Sequence, residues 1–249
     1  MVAKRGGAKA RKVFLFDLDG TLYPNENGYR DHILNNLWEY MHEHLGIPRS
    51  TPAEDVWRPL FNKYHQSFRA FKAQGWIEDS QSIHYWRYIR KDVNRFLSPD
   101  AELDVFLSAL PKECPKYIFT NAREEQAMEA LVCLGVERHF DGVYGSDHMG
   151  DYCKPEKEAF EKVLAALPVS SLEGEGEKGR EVVLFEDSFK NLMAAKELGM
   201  KTILIYSKTT VKEEGRSEAD FHTVDAVLPR LTLPIARKKA SFLWEGFEK

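Results

Sequence analysis

Two aspartates, Asp17 and Asp19, stand two residues apart at the end of the apolar run Val13-Phe14-Leu15-Phe16, and Gly20-Thr21-Leu22 follows at once. Carboxylates this close oppose each other's ionisation unless a cation shares their site, so the spacing points to cation and proton chemistry rather than to a solvated turn. Four bulky apolar residues in a row suit a central parallel strand covered on both faces. Gly20 supplies the sharp exit, and Thr21 brings a hydroxyl and a backbone amide beside the carboxylates. Two more apolar runs end in polar chemistry. Lys116-Tyr117-Ile118-Phe119 leads into Thr120-Asn121, and Val182-Val183-Leu184-Phe185 leads into Glu186-Asp187-Ser188, with Asn191 one helical turn further on. Between them, Cys153-Lys154-Pro155 precedes a helical pattern over 156–167, with Pro155 expected in the first turn of that helix, where no amide donor is required. A lysine there is a compact point charge suited to neutralising carboxylate or phosphoryl oxygens.

These residues need elements to position them. Strands are predicted near 13–16, 116–119, 142–145, 182–185 and 202–205, and helices near 124–134, 156–167 and 189–198. Gly135 and Gly199 fall where two of the helices should stop. Such alternation is the pattern of an α/β fold, a parallel sheet with helices on both faces. Sites in these sheets gather at the carboxyl ends of the strands, which brings Asp17, Asp19, Thr120 and Asp187 to one edge. Over 24–99 the pattern turns helical: Ile33, Leu34, Leu37, Trp38, Met41 and Leu45; then Val56, Leu60, Phe61, Tyr64 and Phe68; then Ile83, Trp86, Ile89, Val93 and Phe96. The aromatics of this insert read as core before they read as a ligand box. After Ile205 the chain turns polar, and Ala226-Val227-Leu228 is placed as a last short strand.

Singly, Thr-Asn and Glu-Asp-Ser read as helix caps and Lys-Pro as surface chemistry. In series, Asp-x-Asp-Gly-Thr, Phe-Thr-Asn, Cys-Lys-Pro and Glu-Asp-Ser-x-x-Asn resemble the four ordered motifs of the haloacid dehalogenase (HAD) superfamily. The resemblance covers nearly all of 12–206. It implies a Rossmann-like core formed by 1–23 and 100–249, interrupted by an all-helical C1-type cap at 24–99. It also implies the roles. Asp17 is the nucleophile that becomes an aspartyl-phosphate, and Asp19 is the acid and base. Thr120, Asn121 and Lys154 meet the phosphoryl oxygens, with Gly20 and Thr21 beside them. Mg2+ sits on Asp17, the Asp19 backbone carbonyl, Asp187 and Glu186, with Asn191 in support.

The layout is most similar to the pyrimidine 5′-nucleotidase branch, which implies UMP, CMP or related nucleotides as substrates. Gly20 stands where that branch often has Asn, and Glu186 where it has Asp; its cap motif is met at Tyr64 but not at Ser67-Phe68. Phosphoglycolate or sugar-phosphate hydrolysis and a β-phosphoglucomutase-like transfer use the same core residues. A dehalogenase needs neither the acid at Asp19 nor a metal. A non-catalytic binding protein on this fold is the reading of another class, and the joint presence of Asp17, Asp19, Lys154 and Asp187 argues against it.

The composition agrees. The 249 residues, 43% hydrophobic and 30% charged, are enough for a full core. A net charge of −4 gives no case for binding nucleic-acid polymers. Cys114, Cys133 and Cys153 form no CxxC pair, so no disulfide framework is expected, and Cys153 reads as a small buried hydrophobe. No apolar run is long enough for a membrane span, and the basic opening Met1 to Lys12 has no apolar core of a secretory signal. The expectation is a cytoplasmic protein, monomer or homodimer, acting on a small phosphorylated metabolite. The segment 170–180 reads as a polar surface loop, and the aromatic tail 241–247 as packed on the core.

Overall fold

A computed structural model describes residues 12–167 and 181–247; residues 1–11, residues 168–180, which include the 170–180 segment, and residues 248–249 lie outside the described residues. Six parallel strands form one sheet: β1 (Lys12–Phe16), β2 (Lys116–Phe119), β3 (Gly142–Tyr144), β4 (Glu181–Glu186), β5 (Lys201–Ile205) and β6 (Ala226–Leu228), in the order β3-β2-β1-β4-β5-β6. Eleven α-helices are described. Four lie between β1 and the segment leading to β2: α1 (Tyr29–His44), α2 (Ala53–Tyr64), α3 (Ser67–Ala73) and α4 (Ser82–Ile89). The others are α5 (Ala101–Ala109), α6 (Glu124–Leu134), α7 (Ser146–Met149), α8 (Lys157–Ala166), α9 (Phe189–Glu197), α10 (Lys208–Glu213) and α11 (Leu233–Lys239).

The two-residue period of β1 explains the layers. Phe14 and Phe16 face one side with Phe106 of α5, Leu131 of α6 and Ala236 of α11. Val13 and Leu15 face the other, with Phe160 of α8 and Leu192 of α9. Helices therefore cover both faces, as the unbroken apolar strands require. The four helices of the insert enclose a third core built on Leu37, Tyr40, Met41, Trp57, Phe71 and Tyr85. Most aromatics of the insert are core, as expected, whereas Ile83 of the third helical run is 49% exposed.

The order in which the chain adds strands to the sheet reverses between β1 and β4, which pair in parallel register from Lys12↔Glu181 to Phe16↔Phe185. In open sheets of this order, the strand ends at that reversal leave a crevice for ligands. The Asp17 amide closes it below by donating to Phe185 O at 2.9 Å.

Two local expectations are corrected. Pro155 is not in the first turn of α8. The Glu156 amide donates to Cys153 O (2.8 Å) while the Cys153 amide donates to the Glu156 carboxylate (2.9 Å), and this closed turn delays the helix to Lys157. Strand β3 ends at Tyr144, one residue short of the expected limit, because Gly145 already serves α7 as its N-terminal boundary. Gly135 ends α6 at φ 70, a left-handed conformation glycine adopts without Cβ strain.

The aromatic tail packs on the core. Trp244 is 3% exposed, its indole N–H donates to Ala109 O at 2.7 Å, and Leu243 is fully buried. Trp244→Ala is expected to cost about 3–5 kcal/mol in a urea titration. A loss below about 1 kcal/mol would mean the tail is not part of the core.

Candidate active site

The site is built around one ammonium. Lys154 is 2% exposed, and its Nζ donates to Asp17 Oδ1 (2.7 Å), Glu186 Oε2 (2.6 Å) and Phe119 O (2.8 Å). A lysine has three donors, and all three are used. The ends of β1, β2 and β4 thus meet on a residue from the turn before α8. Asn121 holds that residue by its backbone: its amide donates to Lys154 O (3.0 Å), and its carbonyl accepts from Lys154 N (2.8 Å). The Asn121 side chain thus braces the Lys154 backbone, and Asn121 also lines the cavity. Thr120, 1% exposed, accepts the Ala122 amide at its hydroxyl oxygen (3.1 Å), which leaves its O–H to donate.

Asp17, Glu186 and Asp187 are all buried and offer oxygens that lie within 4.8 Å of one another. Burial, then the Glu186 carboxylate, push the Asp17 carboxyl up to about 7 against the pull of Lys154. Burial and the Glu186 and Asp17 carboxylates likewise push Asp187 well above the usual carboxylate range. Asp187 Oδ2 is held from two unexpected places: Asn25, just before α1, donates at 2.9 Å, and the Thr210 hydroxyl of α10 donates at 2.5 Å.

Gly20 and Thr21 shape the turn and do not line the cavity. Gly20 lies at φ 83, and a Cβ there would come within 2.7 Å of the Asp187 carboxyl carbon, so only glycine lets the backbone pass. The Thr21 amide closes the turn on Leu18 O (3.3 Å), and its buried hydroxyl has no partner among the described residues.

Asp19 is claimed by the helical insert. Arg90, at the C-terminal end of α4 and 5% exposed, donates to Asp19 Oδ2 (3.0 Å) and Oδ1 (2.7 Å), and the Tyr23 hydroxyl donates to Oδ1 as well. Burial alone would raise Asp19, but the Arg90 guanidinium and the Arg90 and Tyr23 hydrogen bonds outweigh it and hold the carboxyl below its usual range. Asn191, buried in the first turn of α9, lines the cavity with Thr120, Lys154, Glu186 and Asp187. Cys153 is a neutral thiol: burial pushes it up to about 11, although Arg69 donates to its sulfur.

Arg90, Asn25 and Thr210 were not singled out from the sequence. Arg90 is separated from Asp19 by 71 positions and Thr210 from Asp187 by 23, and no short-range spacing announces either pair. Tyr23, four residues after Asp19, is close enough for a turn to bring them together.

A parallel sheet with acids at its switch point and a buried lysine between them can hold and neutralise an anionic group. The chain belongs to the haloacid dehalogenase-like hydrolase family, whose model matches residues 11–199. It is similar to phosphate metabolism protein 8 of Saccharomyces cerevisiae, 24% identical over 78% of this chain and 61% of that protein, so it spans about six tenths of that relative's length. It is equally similar to validoxylamine A 7′-phosphate phosphatase of Streptomyces hygroscopicus subsp. limoneus, 24% identical over 84% of this chain and 91% of that enzyme. Among solved structures, the L-2-haloacid dehalogenase of Xanthobacter autotrophicus shares the fold at TM-score 0.51 and 17% identity, with 88% of this chain and 94% of that one covered. No described helix is long and apolar enough to cross a membrane.

A carboxyl whose folded value lies above its unfolded one binds its proton more tightly when folded, so stability falls as pH climbs between the two. For Asp17 that window runs from about 4 to about 7. In chelator the protein is expected to melt lower at about pH 8 than at about pH 5, and Asp17→Asn is expected to raise the melting point at about pH 8. A higher melting point for the wild type at the alkaline pH, or a lower one for Asp17→Asn, would show that Lys154 outweighs burial and repulsion.

Proposed function

We propose that this protein is a Mg2+-dependent phosphatase that hydrolyses a small phosphate monoester through a phosphorylated Asp17. The observation that carries the reading is the Lys154 ammonium, 2.7 Å from Asp17 and 2.6 Å from Glu186, with Asp187 alongside. The relatives support it by name: one is a phosphatase of a 7′-phosphate, the other a phosphate metabolism protein.

The donor set fits the metal. Three buried carboxylates stand together, only two of them on the Lys154 ammonium, and hard carboxylate oxygens are what Mg2+ takes. Asp17, Asp187, Glu186 and the Asp19 backbone carbonyl would hold it. Mg2+ supplies the charge neutralisation that lets an anionic ester approach an anionic nucleophile.

The protein's own groups then divide the reaction. An Asp17 carboxylate oxygen attacks phosphorus; the new P–O bond forms as the ester P–O bond breaks, and the leaving oxygen takes a proton from Asp19. Water next attacks the phosphorus of the acyl phosphate and gives its proton to Asp19, freeing Asp17 and inorganic phosphate. The Thr120 hydroxyl, and Lys154 Nζ on giving up one of its carboxylate partners, donate to the equatorial oxygens. In its Arg90 pair Asp19 is ionised, the form that accepts a proton from water. To act as the acid it must exchange Arg90 for the leaving oxygen.

Residues 24–99 are assigned as the cap that closes over the site and excludes water. A pyrimidine nucleoside 5′-monophosphate is the substrate we assign, with the protein working in the cytoplasm as a monomer or homodimer.

Phosphate release from UMP, CMP and p-nitrophenyl phosphate with Mg2+ tests the reading, and Asp17→Asn should abolish it. Asp19→Asn is expected to lower kcat by about 10²- to 10⁴-fold on UMP and by less on p-nitrophenyl phosphate, whose leaving group needs no proton. Equal rates for variant and wild type on UMP would overturn the acid assignment. Chelation should remove activity, and added Mg2+ should restore it and raise the melting point. Asp187→Asn is expected to lose that rise; a rise of full size would remove Asp187 from the metal site.

A further inference from the structure

The cavity over the site has a volume of about 360 Å³. Its floor is the carboxylate and lysine cluster; its far wall is formed by the helical insert. That wall is apolar and largely aromatic: Ile33, Leu34, Trp57, Phe61 and Trp86 all line it. Trp57 and Phe61, one turn apart on α2, stack with centroids 4.7 Å apart and planes at 25°. The Trp57 indole N–H is fixed by Ser67 at 2.8 Å, so the pair is a held surface rather than a loose one.

The charges lining the cavity tell more. Among the described residues, five Lys or Arg side chains and six carboxylates line it. Four of the five cations hydrogen-bond a carboxylate, and the fifth, Lys190, lies near one. Lys154 and Arg90 are taken by Asp17, Glu186 and Asp19. Arg30 of α1 is gripped by both oxygens of Glu213 of α10, at 2.7 and 2.8 Å. Arg58 pairs with Glu54 one turn earlier (3.2 Å), and Lys190 stands 3.9 Å from Glu214. A phosphate dianion and a divalent cation would cancel, leaving the lining net negative. A second anionic group on the substrate would have to compete with these carboxylates for a partner and would meet like charge, which costs binding.

Resting on the phosphatase reading above, we infer that the site selects esters whose leaving alcohol is uncharged and presents a flat apolar face to the Trp57–Phe61 stack, and that it rejects esters with a second anionic group. The polar groups near the wall suit a neutral partner. His65 closes α2 in a left-handed conformation (φ 59), and its Nδ1 has no hydrogen-bond partner among the described residues. Burial and the nearby Lys190 lower the imidazole's affinity for a proton, which favours its neutral form. Asn62 lies beside it on the same wall. Both can exchange hydrogen bonds with the hydroxyl or carbonyl edge of a neutral alcohol.

Esters that differ in charge or in flat apolar surface test this on the full chain with Mg2+. 2-Hydroxyethyl phosphate should exceed phosphoglycolate in kcat/KM by at least about tenfold, and UMP should exceed 2-hydroxyethyl phosphate by a similar factor; 1-naphthyl phosphate, whose aryl leaving group is intrinsically more reactive, should show its advantage in a lower KM. Phe61→Ala should shrink the advantage of the flat esters, mainly through KM. Glu213→Gln, which releases Arg30, should raise the phosphoglycolate to hydroxyethyl phosphate ratio. Phosphoglycolate hydrolysed as well as its neutral match, or an unchanged ratio in Phe61→Ala, overturns the inference while leaving the phosphatase reading standing. If no ester is hydrolysed, the phosphatase reading fails. The selectivity is then read as binding: UMP and 1-naphthyl phosphate should raise the melting point of the Asp17→Asn protein more than phosphoglycolate does, and equal or reversed shifts overturn it.

Discussion

One buried ammonium sets the terms for this structure. Lys154 has no water to solvate it, so each of its three donors must find a protein acceptor; it finds Asp17, Glu186 and the Phe119 carbonyl. Those acceptors sit at the ends of β1, β4 and β2, so the sheet must bring three strand ends together before the charge can be buried. The β1–β4 register and the Asp17 amide bond to Phe185 O accomplish this. The Asn121 bridge to the Lys154 backbone fixes the ammonium's point of departure. A sheet that slipped by one residue would leave a buried lysine unpaired, at a cost of several kcal/mol.

The same cluster is over-supplied with negative charge. Burial and mutual repulsion raise Asp17 and Asp187, while Asp19 is drawn the other way by Arg90. Carboxylates in one small volume thus have different proton affinities, which is how a site assigns different tasks to chemically identical groups. The surrounding chain restrains each of them. Asn25 and Thr210 hold Asp187, and Arg90 holds Asp19. The helical insert also reaches the strand ends: its Arg90 pairs with Asp19, and its Gln66 donates to Asn121 O at 2.6 Å.

Much of this was legible in the sequence, for a physical reason. A strand buried on both faces must be an unbroken apolar run, so β1, β2 and β4 announce themselves, and the polar residues that end them mark the carboxyl edge of the sheet. The last strand at Ala226 and the packed tail around Trp244 were readable from apolar residues in polar surroundings. What stayed hidden depends on distance in the chain. Arg90 ends an ordinary amphipathic helix, and Thr210 lies in a polar stretch that reads as periphery. Neither has a local signature, because the partner that gives it meaning arrives only on folding. Asn121 and Thr21 show the converse. In the fold the Asn121 side chain bridges to the Lys154 backbone and the Thr21 amide closes the turn on Leu18 O, local ties that residue type alone does not announce.

In the proposed reaction Asp17 is the nucleophile that carries the phosphoryl group between ester and water. Its most direct test is a rapid acid quench of the protein during turnover of UMP or 1-naphthyl phosphate with Mg2+, followed by borohydride reduction of any acyl phosphate and peptide mass spectrometry. Reduction confined to the peptide at residue 17, absent without substrate and absent in Asp17→Asn, is the predicted result. Steady phosphate release with Asp17 unmodified at every quench time, or with the label on another carboxylate, would contradict it.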